Sequence, residues 1–222
     1  VYCFARPNHE FLGFSAGLDF ETKIMVKDAA PALLRPRLRS RSWRPRPIMM
    51  SGNTDPYQPA EQRLGLTRRC LAIMAEARPP VGLITKNHGV TRDLDLLRRL
   101  ADHDAVAVTL SITTLRRDLQ RIMEPRTSTP ARRLDAIRAL AGAGIPVGVN
   151  LAPVVPGLTD EEMPAILEAA REAGARWAGD LLLRLPPGGK DRFADWLAQR
   201  FPVRPARVLS EPPSLPAAPP YA

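Results

Sequence analysis

From about residue 40 the chain alternates short, uninterrupted apolar runs with longer stretches in which apolar positions recur every three or four residues. PIMMS (47–51), VGLIT (81–85), AVAVTLSI (105–112), PVGVNLA (146–152) and DLLLRL (180–185) read as buried strands, each bounded by turn-forming residues. Between them the 3.6-residue period predicts helices at about 60–77, 92–102, 130–142, 159–173 and 190–200. Thr159 followed by Glu162 has the spacing of a capping box, and Gly144 and Gly174 stand where helices should stop. Apolar strands about 25 to 40 residues apart, each pair separated by a helix, specify a parallel sheet with helices packed outside it. The expectation is an α/β fold built as an open or closed β/α barrel.

Two segments break the alternation. RPRLRSRSWRPRP (35–47) carries six arginines, and its prolines argue against a continuous helix. It reads as a solvated linker or as a basic strip for phosphates. SEPPSLPAAPPYA (210–222) is too proline-rich to pack and is expected to be a disordered tail, which sets the domain at residues 1–209.

Composition adds a few limits. No apolar run approaches the roughly 18 to 20 residues of a membrane span, and the opening VYCFARPNHE has neither part of a signal peptide, so a cytoplasmic protein without membrane contact is expected. Cys3 and Cys70 cannot make a disulfide framework in 222 residues, and Cys70, inside a helical stretch, reads as a small buried residue. The net charge of +9 suits a polyanionic partner. Four of the 32 basic residues are lysines and the other 28 are arginines, a skew that a biased genome would also produce.

Parallel β/α folds gather their chemistry at the carboxyl ends of the strands. Every predicted strand here runs into hydrogen-bonding residues: Ser51, Asn53, Thr54 and Asp55 after the first, Lys86 after the second, Ser111 in the third, Asn150 in the fourth and Arg184 in the fifth. Lys86 can clamp a carboxylate, form a Schiff base, or simply extend to solvent. Asp55 before Pro56 shapes a turn or contacts a ligand. The three histidines, His9, His88 and His103, lack the spacing of a metal triad and read as loop or surface residues.

The strings VYCFARPNHEFLG, GLDFETKI, SGNTDPYQP, ITKN, MEPRTSTPARRLDAI and APVVPGLTD, in this order, resemble the radical S-adenosylmethionine (SAM) superfamily, in a branch near the spore photoproduct lyases and DNA repair photolyase-like proteins. The resemblance implies a partial (β/α)6 TIM-like barrel. It also implies a 4Fe-4S cluster on a CxxxCxxC loop, reductive cleavage of SAM to a 5′-deoxyadenosyl radical, and an external electron donor. Tyr2 and Cys3 match the end of the cysteine motif, which makes Cys3 the one cluster ligand present. On this reading the first strand and two cysteines would precede Val1, so the chain reads as an inactive fragment. By the same resemblance Ser51 to Asp55 take the place of the methionine-binding motif, Lys86 and Ser111 contact the SAM carboxylate and ribose, and Pro153 and Val154 flank the adenine. Asn150 and Arg184 are assigned from strand-end position, and Arg126 is a substrate clamp or a helix cap. SGNTDPYQP lacks the hydrogen-donating cysteine of the lyases, which argues against thymine-dimer repair while leaving a nucleic-acid substrate open. Two other readings stand beside this one: a conventional β/α-barrel lyase or aldolase-type enzyme with Lys86 as the Schiff base, and a nucleic-acid-binding module without chemistry.

Overall fold

A computed structural model of the 222-residue chain describes residues 2–185 and 189–201. The predicted tail at 210–222, and with it the domain end at 209, lies outside the described residues. Five strands, β1 (Ile48–Met50), β2 (Val81–Thr85), β3 (Val106–Ser111), β4 (Val147–Val154) and β5 (Ala178–Leu182), form one parallel sheet in sequential order. Sequential order with a helix at each crossover is the partial TIM-like barrel that the alternation predicts, with five strands among the described residues.

One face of the sheet is the core. Val81 and Leu83, Val108 and Leu110, and Val147, Val149 and Leu151 alternate onto this face. There they meet Leu71 and Met74 of α4 (Leu66–Ala77), Leu97 and Leu100 of α5 (Leu94–Ala101), Ile137 and Leu140 of α7 (Pro130–Gly142), and Ile166 of α8 (Met163–Glu172). The opposite face carries Gly82 and Ile84, Ala107 and Thr109, and Gly148 and Asn150, which are small or polar apart from Ile84. On this face Met49 lies over Gly82 and the Trp177 indole lies over Gly148, where a Cβ on either glycine would collide with them. A second, smaller core sits beyond the carboxyl ends of the strands. There Leu119 and Met123 of α6 (Arg117–Met123) and Val155 and Leu158 after β4 meet Phe193 and Leu197 of α9 (Gly189–Arg200).

Several sequence expectations need correction. The arginine-rich segment is helical at its start: α2 (Ala30–Arg39) runs through Pro36, which removes one helical N–H donor. The helix is held from outside, since Leu34 and Leu38 pack into the core and Arg35 pairs with Glu76 on α4. The helix expected at 60–77 is two, α3 (Glu61–Leu64) and α4, because Gly65 turns left-handed at φ +58. The capping box at Thr159 does not form. The Thr159 hydroxyl accepts from the Val155 N–H at 2.8 Å, and Glu162 instead accepts from the Thr114 hydroxyl at 2.5 Å, the Leu115 N–H at 2.8 Å and Arg116 Nε at 3.0 Å. The fifth strand begins at Ala178 and ends at Leu182, so Arg184 is not a strand residue and stands exposed beyond the sheet. Gly144 and Gly174 do end their helices with positive φ. Ahead of the sheet, α1 (Leu18–Thr22) and a 3-10 turn at Arg6–Leu12 lie in a region where the pattern predicted no elements. No helix among the described residues is long and apolar enough to cross a membrane.

Candidate functional site

Parallel register aligns three of the expected residues. Ser111 pairs with Asn150, Asn150 pairs with Gly179, and Thr85 pairs with Leu110, so Lys86, one residue on, comes alongside Ser111. Lys86, Ser111 and Asn150 therefore form a row across the sheet, just past the end of β2, at the end of β3 and midway along the longer β4, on the face away from the helices.

Asp55 organises the loop leading into this row. One of its oxygens accepts from the Tyr57 N–H at 2.8 Å and the Thr85 hydroxyl at 2.6 Å, and the other accepts from the Lys86 N–H at 2.7 Å. It is thus a turn former that also ties the β1 loop to the end of β2. Upstream, Ser51 has φ +127, a strained value for a residue with a Cβ, and Asn53 and Thr54 are exposed, with Asn53 accepting from Asn8 at 2.6 Å. Pro153 and Val154 are buried, Val154 within the main core.

The strongest electrostatic feature at the strand ends centres on a residue the sequence reading assigned no role. Glu124 caps α6 and its side chain is 3% exposed. Its Oε1 accepts from the Tyr2 hydroxyl, from Lys86 Nζ at 2.5 Å and from the Thr113 hydroxyl at 2.8 Å, while Oε2 accepts from Arg133 Nη2 at 2.5 Å. Arg133, with 1% exposure, also donates to the carbonyls of Ser128 and Ser111, both at 2.8 Å, and to Thr127. Burial alone would raise the Glu124 pKa. The Lys86 ammonium and the Arg133 guanidinium outweigh it and hold the carboxyl well below its usual range, so Glu124 is ionised at neutral pH. Burial, and then the Glu124 charge, push the Tyr2 phenol well above its usual value and keep it a donor. Two cations meet the one carboxylate of Glu124 in this cluster, with the Asp55 carboxylate close by on the Lys86 N–H.

A signal for Arg133 was present in the sequence. Arg133, Ala136, Ile137 and Leu140 form the buried stripe of α7, and an arginine within an apolar stripe requires a buried acceptor. Glu124 gave no such signal, because its partners come from the chain's second residue, β2, the end of β3 and α7. Other expected residues fall away from the cluster. Arg126 is bonded to the Glu21 carbonyl at 3.1 Å. The half-buried His88 faces Arg132, and burial together with that charge lowers its pKa. His103 is exposed and His9 half-buried.

The sequence profile of the radical SAM superfamily matches residues 22–170. The chain belongs to the radical SAM superfamily. An uncharacterized protein of Mycobacterium tuberculosis is 38% identical to this radical SAM chain over 203 residues, which is 90% of the chain and 60% of that relative. One of Methanocaldococcus jannaschii is 27% identical over 162 residues, 72% of the chain and 58% of the relative. The chain thus spans about 60% of the length of these relatives. In fold it resembles a spore photoproduct lyase variant solved with bound AdoMet and dinucleoside spore photoproduct. The TM-score is 0.60 at 20% identity, covering 91% of this chain and 57% of that one.

The superfamily's 4Fe-4S cluster takes three thiolates. Cys3 lies at the strand-end side of the molecule, next to Tyr2, whereas Cys70 sits on α4, half-buried against the main core. Among the described residues no group of three His, Cys, Asp or Glu side chains is placed to hold a metal. Cys3 and Cys70, the two cysteines of this chain, do not make up the cluster's ligand set.

Proposed function

We propose that this radical SAM chain supplies the SAM-binding strand ends of a radical enzyme, with Lys86 taking the carboxylate of SAM. The observation that carries this reading is the row of Lys86, Ser111 and Asn150 beside the Lys86–Glu124–Arg133 cluster. An ammonium has three N–H donors. Two of those on Lys86 go to Glu124 at 2.5 Å and Tyr2 at 2.9 Å, and the third is left for an anionic ligand. Ser111 and Asn150 offer a hydroxyl and an amide for the polar edge of the nucleoside, and the Ser51–Asp55 loop closes over the methionine end. SAM supplies the radical chemistry of this superfamily. Its reductive cleavage, with the cluster and an external electron donor, is proposed for the whole protein, of which Cys3 gives one ligand.

The conventional Schiff-base reading is weakened by the Glu124 ion pair, since attack on a carbonyl needs a free amine rather than an ammonium held by a carboxylate. For the substrate we favour a nucleic acid. A protein of the same fold holds a dinucleoside, and Arg37, Arg39, Arg41, Arg44 and Arg46 are all exposed.

Calorimetric titration of SAM into the chain tests the binding assignment. A charge-assisted hydrogen bond contributes about 1.5 to 3 kcal/mol, so Lys86→Ala should weaken binding roughly ten- to a hundredfold, and Lys86→Arg should weaken it less. Equal affinity in all three proteins would refute the assignment.

A further inference from the structure

We infer that Glu124 is a positioning residue that sets, through one buried carboxylate, both the aim of the Lys86 ammonium and the seat of the segment bearing Cys3. The part concerning Lys86 rests on the SAM-binding reading, and the part concerning Cys3 does not.

The geometry separates this role from ordinary ion pairing. A buried glutamate needs one good cation partner, and Arg133 supplies it at 2.5 Å, itself anchored by two backbone carbonyls at 2.8 Å. This side of the cluster cannot swing. On the other oxygen, besides the Thr113 hydroxyl at 2.8 Å, Glu124 takes two donors from distant parts of the chain: Lys86 from the end of β2 and Tyr2 from the segment ahead of all the elements. These two donors also touch one another. Lys86 Nζ donates to the Tyr2 hydroxyl at 2.9 Å and lies 5.1 Å from the centre of its ring.

Tyr2 immediately precedes Cys3. On the far side of the cysteine, Arg6 donates to the carbonyls of Ala16 at 3.0 Å and Gly17 at 3.2 Å and pairs with Glu21. The cysteine segment is therefore pinned at Arg6 on the α1 region and at Tyr2 on Glu124, and farther on Asn8 donates to Asn53 in the loop after β1. The Tyr2 bond, next to Cys3 and backed by packing of the ring on the smaller core, is the tie nearest the cysteine. That pin is a hydrogen bond from the Tyr2 hydroxyl to a buried carboxylate that Lys86 and Arg133 pair, a charge-assisted bond. Loss of the Glu124 charge should release the Tyr2–Cys3 segment and let the Lys86 side chain wander, with the sheet and its helices unchanged.

The test uses the full chain and two readouts, neither of which requires turnover. The first is the rate of Cys3 alkylation by iodoacetamide, measured by peptide mass spectrometry relative to Cys70 in the same molecule. Cys70 lies on α4, within the main helical layer, and reports general loosening. The second is SAM affinity by calorimetry. Glu124→Gln should raise the Cys3 to Cys70 ratio about tenfold, the shift expected when a local opening loses a charge-assisted hydrogen bond. It should also weaken SAM binding about tenfold. Tyr2→Phe removes one hydroxyl, tests the Cys3 arm if Glu124→Gln fails to fold, and should raise the ratio by a similar factor with a smaller change in affinity. Glu124→Asp, which keeps the charge, should restore part of both effects. An unchanged ratio in folded variants, or a parallel rise at Cys70, would overturn the inference in favour of a merely structural carboxylate. If the unaltered chain takes up no SAM, the proposed function fails while the Cys3 ratio still decides this inference.

Discussion

Replacing Arg133 by methionine removes the buried cation that balances Glu124 while keeping most of the side-chain volume. Arg133 is 1% exposed and Glu124 3%, so little water can enter to replace the lost partner. The change leaves the carboxylate with Lys86 as its cation and strips donors from the Ser128 and Ser111 carbonyls. Breaking a buried pair by removing one partner costs about 3 to 5 kcal/mol. A domain of this size has roughly 5 to 15 kcal/mol in total, and each kcal/mol moves its melting temperature by about 2 to 4 °C. The expected loss is therefore about 6 to 20 °C. Urea denaturation of the single variants Arg133→Met and Glu124→Gln, and of the double variant, measures the coupling directly. The double variant should lose much less than the sum, with a coupling of about 1 to 3 kcal/mol, because a neutral amide no longer requires the guanidinium. Arg133→Lys should fall between, since a lysine restores the charge but cannot reach Glu124 and two carbonyls at once. Additive effects in the double variant, or a cost below about 1 kcal/mol for Arg133→Met, would show that the pair carries no net stabilisation and refute the reasoning.

Three further outcomes follow from the geometry. Gly148→Ala drives a Cβ into the rigid Trp177 indole and should cost about 1 to 3 kcal/mol with a change in tryptophan fluorescence, whereas Gly82→Ala meets only the flexible Met49 thioether and should cost less; equal costs by urea titration would contradict this. Glu124 and Asp93 both have carboxyl pKa values held below the ordinary range: burial opposes ionisation in each, but Lys86 and Arg133 for the first, and Arg92, Arg68 and Tyr57 for the second, outweigh it. A depressed folded-state pKa stabilises at pH above the unfolded value of about 4, and that contribution is lost as pH falls through the folded value; stability should thus decline below about pH 4, and Glu124→Gln should flatten the decline in urea titrations across pH 2 to 7. For the arginine segment, replacing Arg41, Arg44 and Arg46 with glutamine should reduce the slope of log affinity against log salt by about 2 for a single-stranded oligonucleotide, read by fluorescence anisotropy; an unchanged slope would remove this segment from any nucleic-acid contact.

The sequence by itself determined the sheet. The apolar runs at 81–85, 105–112 and 146–152 became β2, β3 and β4 almost residue for residue, because a strand buried under helices needs only local β-forming, apolar chemistry to declare itself. Parallel order followed from the helices between the runs. It also determined that Lys86 and Ser111 stand at strand ends, since position at the end of a buried run is a local property, whereas Asn150, expected at an end too, lies midway along the longer β4. What Lys86 and Glu162 bond to was decided only by the tertiary structure. Glu162 satisfies every local rule for a capping box, yet it spends its carboxylate on Thr114, Leu115 and Arg116, because the loop after β3 arrives there with donors that need an acceptor. Pro36 should have stopped a helix, and packing of Leu34 and Leu38 on the core overrode it. The cluster of Tyr2, Lys86, Thr113, Glu124 and Arg133 draws on residues as far as 122 positions apart for one contact. Which donors share a buried carboxylate depends on where a barrel's loops converge, a property of the closed chain and of no segment within it.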